Sequence, residues 1–206
     1  GTPSLLTPEQ LKLILQTIQT NFSVIASPEI TLEANPDDLS KENLVLFKSE
    51  GINRLSIGVQ SFFEEHLTWM NRAHNAKESL QCLQWAKEIG FENITIDLIY
   101  GIPQMTDAQW EENIDTALSL NIPHISAYNL TVEEKTVLAH QIKKGTSKAL
   151  SDSQGERNFL ILQEKLKDAN FVHYEISNFG QQPFFSKHNT SYWQGKKYLG
   201  VGPSAH

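Results

Sequence analysis

Three polar side chains stand out by type and spacing. Glu33, Gln60 and Asp97 each lie towards the C-terminal end of a short β-rich run: Glu29–Asn35 (EITLEAN), Arg54–Gln60 (RLSIGVQ) and Asn93–Tyr100 (NITIDLIY). In parallel α/β folds, ligands bind at that end of the strands. Two carboxylates and an amide converging there suit a ligand with an amine and ribose hydroxyls. Taken singly, each fits equally well as a strand-end residue capping a turn. The three together on one predicted face favour a ligand site.

The tail carries a second set of residues with chemical potential. From Phe179 to His206 the chain is dense in aromatics and glycines, and His188-Asn189-Thr190-Ser191-Tyr192-Trp193 puts an imidazole beside large flat rings. That combination suits a flat aromatic ligand such as a porphyrin, with histidine on the iron. The residue types alone also fit aromatic rings closing the end of a core. The seven histidines include no pair at the i, i+4 spacing of a helical zinc motif. The single cysteine, Cys82, falls in a helical stretch with Leu80 and Leu83, where a small packing residue is expected.

The elements that position these residues are legible from capping and periodicity. Thr7-Pro8-Glu9-Gln10 is a capping box with proline at the first helical position, followed by Leu11, Ile14, Leu15 and Ile18 at helical spacing. The same hydroxyl-x-x-Glu/Gln signal recurs at Thr106, Thr131 and Ser151. Further helices are predicted over about 40–50, 75–89, 107–120 and 152–169, with Gly51 and Gly90 as C-caps. Between them lie the three runs above, a fourth at His124–Leu130 and a later one at Phe171–Ser177. Strand–helix alternation at this spacing predicts βαβ units and a parallel sheet.

Alternation within the strands predicts a wet face. Leu55, Ile57 and Val59 oppose Arg54, Ser56, Gly58 and Gln60; Ile94, Ile96 and Leu98 oppose Thr95, Asp97 and Ile99; Ile30, Leu32 and Ala34 oppose Thr31 and Glu33. A strand buried on both faces would be nearly all apolar. The expected architecture is therefore α/β, a barrel or curved sheet of parallel strands with a polar inner face. Alternation does not assign the faces of His124–Leu130.

Composition bounds the remaining classes. With 206 residues and a hydrophobic share of 39%, the chain can bury a core, which excludes a disordered tail. A net charge of -7 is the wrong sign for a general nucleic-acid binder. One cysteine excludes an intramolecular disulfide and any iron–sulfur cluster held only by thiolates of this chain. No apolar run approaches the ~20 residues that span a bilayer. The chain begins Gly1-Thr2-Pro3 without methionine or signal segment, and reads as soluble and cytoplasmic, either processed or cut from a longer protein.

Taken in order, the motifs carry a resemblance. They are GTPSLL at 1–6, EITLEANPDDL at 29–39, GINRLSIGVQSF at 51–62, NRAH at 71–74, ITIDLIYGIP at 94–103, HISAYNLTVE at 124–133, YEISNF at 174–179, HNTSYW at 188–193 and YLGVGPSAH at 198–206. The chain resembles the radical S-adenosylmethionine (SAM) proteins related to oxygen-independent coproporphyrinogen III oxidase, and within them the heme-chaperone branch. The resemblance implies a partial (β/α) barrel of radical-SAM type, incomplete at both ends. Residues 1–206 would form a single incomplete domain, with residues 171–206 adding an extra strand and the heme motif. It implies SAM contacts at Gly1, Thr2, Glu33, Gln60, Arg72, Asp97 and Thr131. Read by itself, Arg72 is a surface ion-pair residue.

The HNTSYW run resembles the motif that separates the heme chaperones from the coproporphyrinogen oxidases. It implies that His188 is a heme iron ligand and that Asn189, Tyr192 and Trp193 shape the heme site. The implied function is a heme-binding chaperone passing heme to an acceptor protein, peripheral to the membrane only through that acceptor. The alternative is radical decarboxylation of coproporphyrinogen III. The family's three cluster cysteines lie before the Gly1-Thr2 turn, so a [4Fe–4S] cluster is expected in the parent protein alone, and radical chemistry is not expected of this chain. Pro103-Gln104-Met105-Thr106 departs from the family's Pro-Gly-Gln-Thr. An exposed edge beside the first strand would favour self-association into a homo-oligomer.

Overall fold

A computed structural model describes residues 3–202. Its frame is a six-stranded sheet in the order β1-β2-β3-β4-β6-β5. The strands are β1 (Thr31–Ala34), β2 (Arg54–Gln60), β3 (Asn93–Tyr100), β4 (His124–Asn129), β5 (Val172–His173) and β6 (Asn178–Gly180). β1 to β4 run parallel, and β6 returns antiparallel to both β4 and β5. The sheet is open, with β1 and β5 at its edges.

The principal helices follow their signals. They are α1 (Pro8–Asn21), α2 (Lys41–Ser49), α3 (Glu64–Trp69), α4 (Ala76–Glu88), α5 (Asp107–Ser119), α6 (Val137–Lys143), α7 (Asp152–Asp168) and α8 (Lys187–Trp193). Thr7, Asn75 and Thr106 each make a reciprocal capping box with the third helical residue, satisfying two otherwise orphaned N–H groups. Gly51 and Gly90, at φ 96° and 92°, end α2 and α4 in a left-handed turn that a side chain would strain.

Two expectations are corrected. The signal at Thr131 starts no helix; Thr136 caps α6 instead, its hydroxyl accepting from the Ala139 N–H. The predicted strand over 171–177 is two residues long. The chain turns after His173, and Asn178–Gly180 provides the strand that pairs with β4.

Burial sorts the two sheet faces as alternation predicts. Leu55, Ile57, Val59, Ile94, Ile96, Leu98 and Ile125 are buried in one core with Leu44 and Phe47 of α2, Leu83 and Ala86 of α4, Trp110 and Ile114 of α5, and Leu162 and Leu166 of α7. Each fully buried side chain of this size contributes roughly 1.5–3 kcal/mol. Trp110 ties α5 to α7, its indole N–H donating to the Asn158 carbonyl at 2.8 Å. The opposite face of β1–β4 is left for polar groups.

Candidate functional site

That polar face forms one wall of a cavity of about 1000 Å3. Strand register explains why its residues line up. Glu33 pairs with Ser56, Ser56 with Thr95, and Thr95 with His124, giving one polar row across four strands. Asp97 pairs with Ser126, and Ser126 with Asn178, giving a second row. Side chains two residues apart share a face, so β4 presents His124, Ser126 and Tyr128 to the cavity and buries Ile125 and Ala127 behind. This assigns the strand that alternation left open.

Glu33, Gln60, Arg72 and Asp97 all line this cavity. Gln60 ends β2 at a register shift and holds φ 65°. The Ser61 N–H donates back to the Val59 carbonyl at 2.8 Å, closing a three-residue turn around it. His74 stands 3.1 Å from the same carbonyl through Nε2, which therefore donates. Arg72, two residues earlier, donates from Nη2 to the Asn35 side-chain oxygen at 2.7 Å. The NRAH segment thus clamps the C-terminal ends of β1 and β2. Gly58 lies beneath this clamp. A Cβ there would stand 2.8 Å from the Gln60 amide nitrogen and 3.4 Å from Arg72 Nη2 and from Asn35 Oδ1. Only glycine leaves that convergence of polar groups clear.

The electrostatics mark Asp97. Burial pushes its carboxyl up to about 7, and the Glu33 charge adds to the shift, against the pull of Ser126, Arg72 and Arg54. A carboxyl held near neutrality in a cavity is a mark of functional sites, because a cationic ligand would recharge it. Glu33, Asp97, Gln60 and Arg72 supply two anionic acceptors, an amide and a guanidinium. These fit the amine, sulfonium, hydroxyls and carboxylate of SAM, a ligand that brings a transferable alkyl group or, on an iron–sulfur cluster, a radical.

The tail meets the same cavity from the other side. His188 and Asn189 of α8 line it, with Lys187, Lys197 and Tyr198. Tyr192 and Trp193 do not line it. They are 57% and 55% exposed, set edge to face at 6.1 Å. Of the tail's other rings, Phe179 is buried in the core and Phe185 stacks on Tyr174 at 4.6 Å. The role of closing a core, one of the two open to the aromatics by residue type, is filled by Phe179. Thr131 stands apart from the other residues expected to contact SAM. It is exposed and lines a second cavity, of about 520 Å3, with Leu130, Val132, Ala139 and Ile142. Gly1 and Thr2 lie outside the described residues.

Several cavity residues escape sequence reasoning. Arg54, at the start of β2, is fully buried and donates to Asn93, to the Thr95 hydroxyl and to the Phe184 carbonyl. Thr95 in turn contacts His124 Nδ1 at 3.0 Å, and His124 Nε2 contacts the Tyr174 hydroxyl at 2.7 Å. Burial, reinforced by the Arg54 charge, pushes His124 down to about 3, so it stays neutral. A buried arginine at a strand start was the available signal, since arginine is almost never fully buried unless paired.

The residues present do not fit an iron–sulfur cluster. Cys82, the sole cysteine, is buried on α4 and burial pushes its thiol up to about 12. Among the described residues no group of three His, Cys, Asp or Glu side chains is placed to hold a metal ion. No helix is long and apolar enough to cross a membrane among them either.

The comparisons agree with this geometry. The chain is 41% identical over 207 residues to the protein named "Heme chaperone HemW" of Bacillus subtilis (strain 168), covering 100% of this chain and 55% of that one. It is 34% identical to "Radical S-adenosyl methionine domain-containing protein 1, mitochondrial" of Danio rerio, covering 46% of that protein. The chain thus spans about half the length of the curated relatives it matches. Among solved structures, coproporphyrinogen III oxidase (HemN) from Escherichia coli, a radical SAM enzyme, superposes with a TM-score of 0.77 at 27% identity, over 100% of this chain and 50% of that one. The Radical SAM superfamily itself matches over residues 1–117, more than half of the chain. With its parallel strands, its polar inner face and this match, the chain belongs to the radical SAM superfamily.

Proposed function

We propose that this chain is the SAM- and heme-binding portion of a heme chaperone, a protein that holds heme and passes it to an acceptor protein. One observation carries the reading: His188 and Asn189 line the same cavity as Glu33, Gln60, Arg72 and Asp97. A single cavity with SAM chemistry on its sheet wall and an imidazole on its helical wall suits two ligands held face to face. Imidazole nitrogen is a common axial ligand of heme iron. The exposed rings of Tyr192 and Trp193 stand on the same helix, outside the cavity, as apolar surface that a large flat ligand could meet. The relatives of 32–41% identity named as heme chaperones support the same reading.

Titration with hemin tests it. The wild type should give a shifted Soret band with saturation, and His188→Ala should weaken binding at least tenfold or move the band. A wild type that binds no hemin would overturn the reading. The resemblance of fold to coproporphyrinogen III oxidase keeps a second reading in play, decarboxylation of a porphyrinogen. The full-length protein with a reconstituted cluster, assayed for vinyl products, separates the two.

A further inference from the structure

The SAM-facing residues leave one feature of the cavity unexplained, the charge on Arg54. Its side chain is 2% exposed, yet it lines the cavity. Among the described residues it forms no ion pair within 4 Å. Its partners are the Asn93 side-chain oxygen, the Thr95 hydroxyl and the Phe184 carbonyl, all neutral. These occupy three of the five guanidinium donors and compensate none of the charge. The carboxylates around it offset burial only in part: Glu29 and Asp97 favour its charge through space, and neither reaches it within 4 Å. His124, one hydrogen bond away through Thr95, is neutral, and so is Tyr174, whose hydroxyl burial pushes up to about 12. Glu29, the nearest carboxylate in charge terms, accepts the Lys187 N–H at 2.9 Å. A desolvated cation without a counter-ion is strongly unfavourable, and an arriving anion removes that cost.

Position narrows what the anion belongs to. Arg54 opens β2 opposite Asn93 and Gln60 closes it opposite Leu98, and five residue steps of β3 at about 3.3 Å put them about 16 Å apart. The cation therefore sits at the opposite end of the cavity from the Gln60–Arg72 clamp. There it holds Phe184, while the Tyr174 hydroxyl accepts the Ser186 N–H at 3.2 Å, and two residues later the chain reaches His188.

We propose that Arg54 is a binding site for a carboxylate of the cavity's ligand. Two ligands carry one, a tetrapyrrole through its propionates and SAM through its aminoacyl end. The proximity of Arg54 to the segment leading into α8 selects the propionate, and to that extent the inference rests on the heme reading above. The planar guanidinium suits a carboxylate's two oxygens better than an ammonium would.

The test compares ligand pairs that differ in the carboxylate alone: hemin against hemin dimethyl ester by absorption, and SAM against decarboxylated SAM by calorimetry. A charge-assisted hydrogen bond corresponds to about tenfold or more in affinity. The wild type should bind hemin at least tenfold tighter than its ester, and Arg54→Gln should bind the two alike. Arg72→Gln, Lys187→Gln and Lys197→Gln, the other Lys and Arg side chains lining the cavity, should each keep the difference. That set assigns the carboxylate to Arg54 even where Arg54→Gln does not fold. Equal binding of both pairs by the wild type overturns the proposal, as does loss of the difference in one of the other three variants instead. Should hemin and its ester both fail to bind while the SAM pair differs through Arg54, the carboxylate site stands and the heme reading falls.

Discussion

Replacing Asp97 by Asn should make the protein more stable at pH 8, although the residue faces the candidate ligand. The carboxyl ordinarily titrates at 3.8 and here is pushed up to about 7 by burial and by Glu33. At 1.36 kcal/mol per pH unit, ionising it in the fold costs about 4 kcal/mol relative to the unfolded chain. The sign follows from proton counts. Below about pH 4 both states hold the proton and no penalty exists. Between about pH 4 and 7 the folded state keeps a proton that the unfolded state has released, so stability falls as pH rises; above 7 the penalty is constant. Asn keeps the shape and cannot ionise. Its NH2 group replaces an acceptor beside Arg72 and Ser126, and an unsatisfied buried donor returns about 1–3 kcal/mol. The expected net gain is about 2 kcal/mol at pH 8, shrinking towards zero or below at pH 4. Urea unfolding of both proteins at pH 4.5, 6 and 8 measures it. A variant less stable than the wild type at pH 8, or a difference that does not change with pH, would refute the account of Asp97 as a carboxylate kept reluctant to ionise. SAM should narrow the gap, because its positive charge stabilises the ionised wild type and not the amide.

Three further outcomes follow from single sites. Gln60→Gly should be about 1 kcal/mol more stable than Gln60→Ala by urea unfolding, because position 60 holds φ 65° and glycine alone adopts it without strain; equal stability would contradict the turn described. Trp110→Phe should cost roughly 2–3 kcal/mol, from the lost bond to Asn158 and the volume left empty in the core, as a lowered urea midpoint. Cys82 should resist iodoacetamide at pH 8 in the native protein and react in urea, since its thiol is buried and pushed up to about 12; native reaction at the unfolded rate would place it elsewhere.

What the sequence discloses, it discloses through period and capping. The strands β2 and β3 run over the residues that alternation marks, and α1, α2, α4, α5 and α7 begin where a capping hydroxyl or amide stands. Glu33, Gln60 and Asp97 reach one cavity because parallel register and a two-residue period are enough to place them. What stays hidden depends on contacts between distant segments. β6 is three residues long and exists because β4 offers it an antiparallel edge. The turn at Gln60 needs His74 and Ser61 to hold the Val59 carbonyl, and neither announces this. Thr131 carries a good capping pattern and no helix, because Thr136 captures the start of α6 and the chain between them turns instead.

The layout of charge along the sheet says why a polar face survives here. Filling the interior of a sheet with branched apolar layers would be the more stable solution, and this chain forgoes it on four strands. Asp97 ionises reluctantly, Gln60 holds an unfavourable backbone angle, and Arg54 is desolvated with no ion pair among the described residues. These three costs fall in one cavity, and the through-space attraction between Asp97 and Arg54 offsets only part of them. Arg54 lies about 16 Å from Gln60 along the sheet, and the ionised Asp97 and Glu33 carboxylates would repel. Charges held apart along one wall are complementary to a ligand that brings a positive group to Glu33 and Asp97 and an anionic one to Arg54. The proposed pair of ligands, SAM at the clamp and a carboxylate-bearing tetrapyrrole at the start of β2, would offset the charges of Asp97 and Arg54 together.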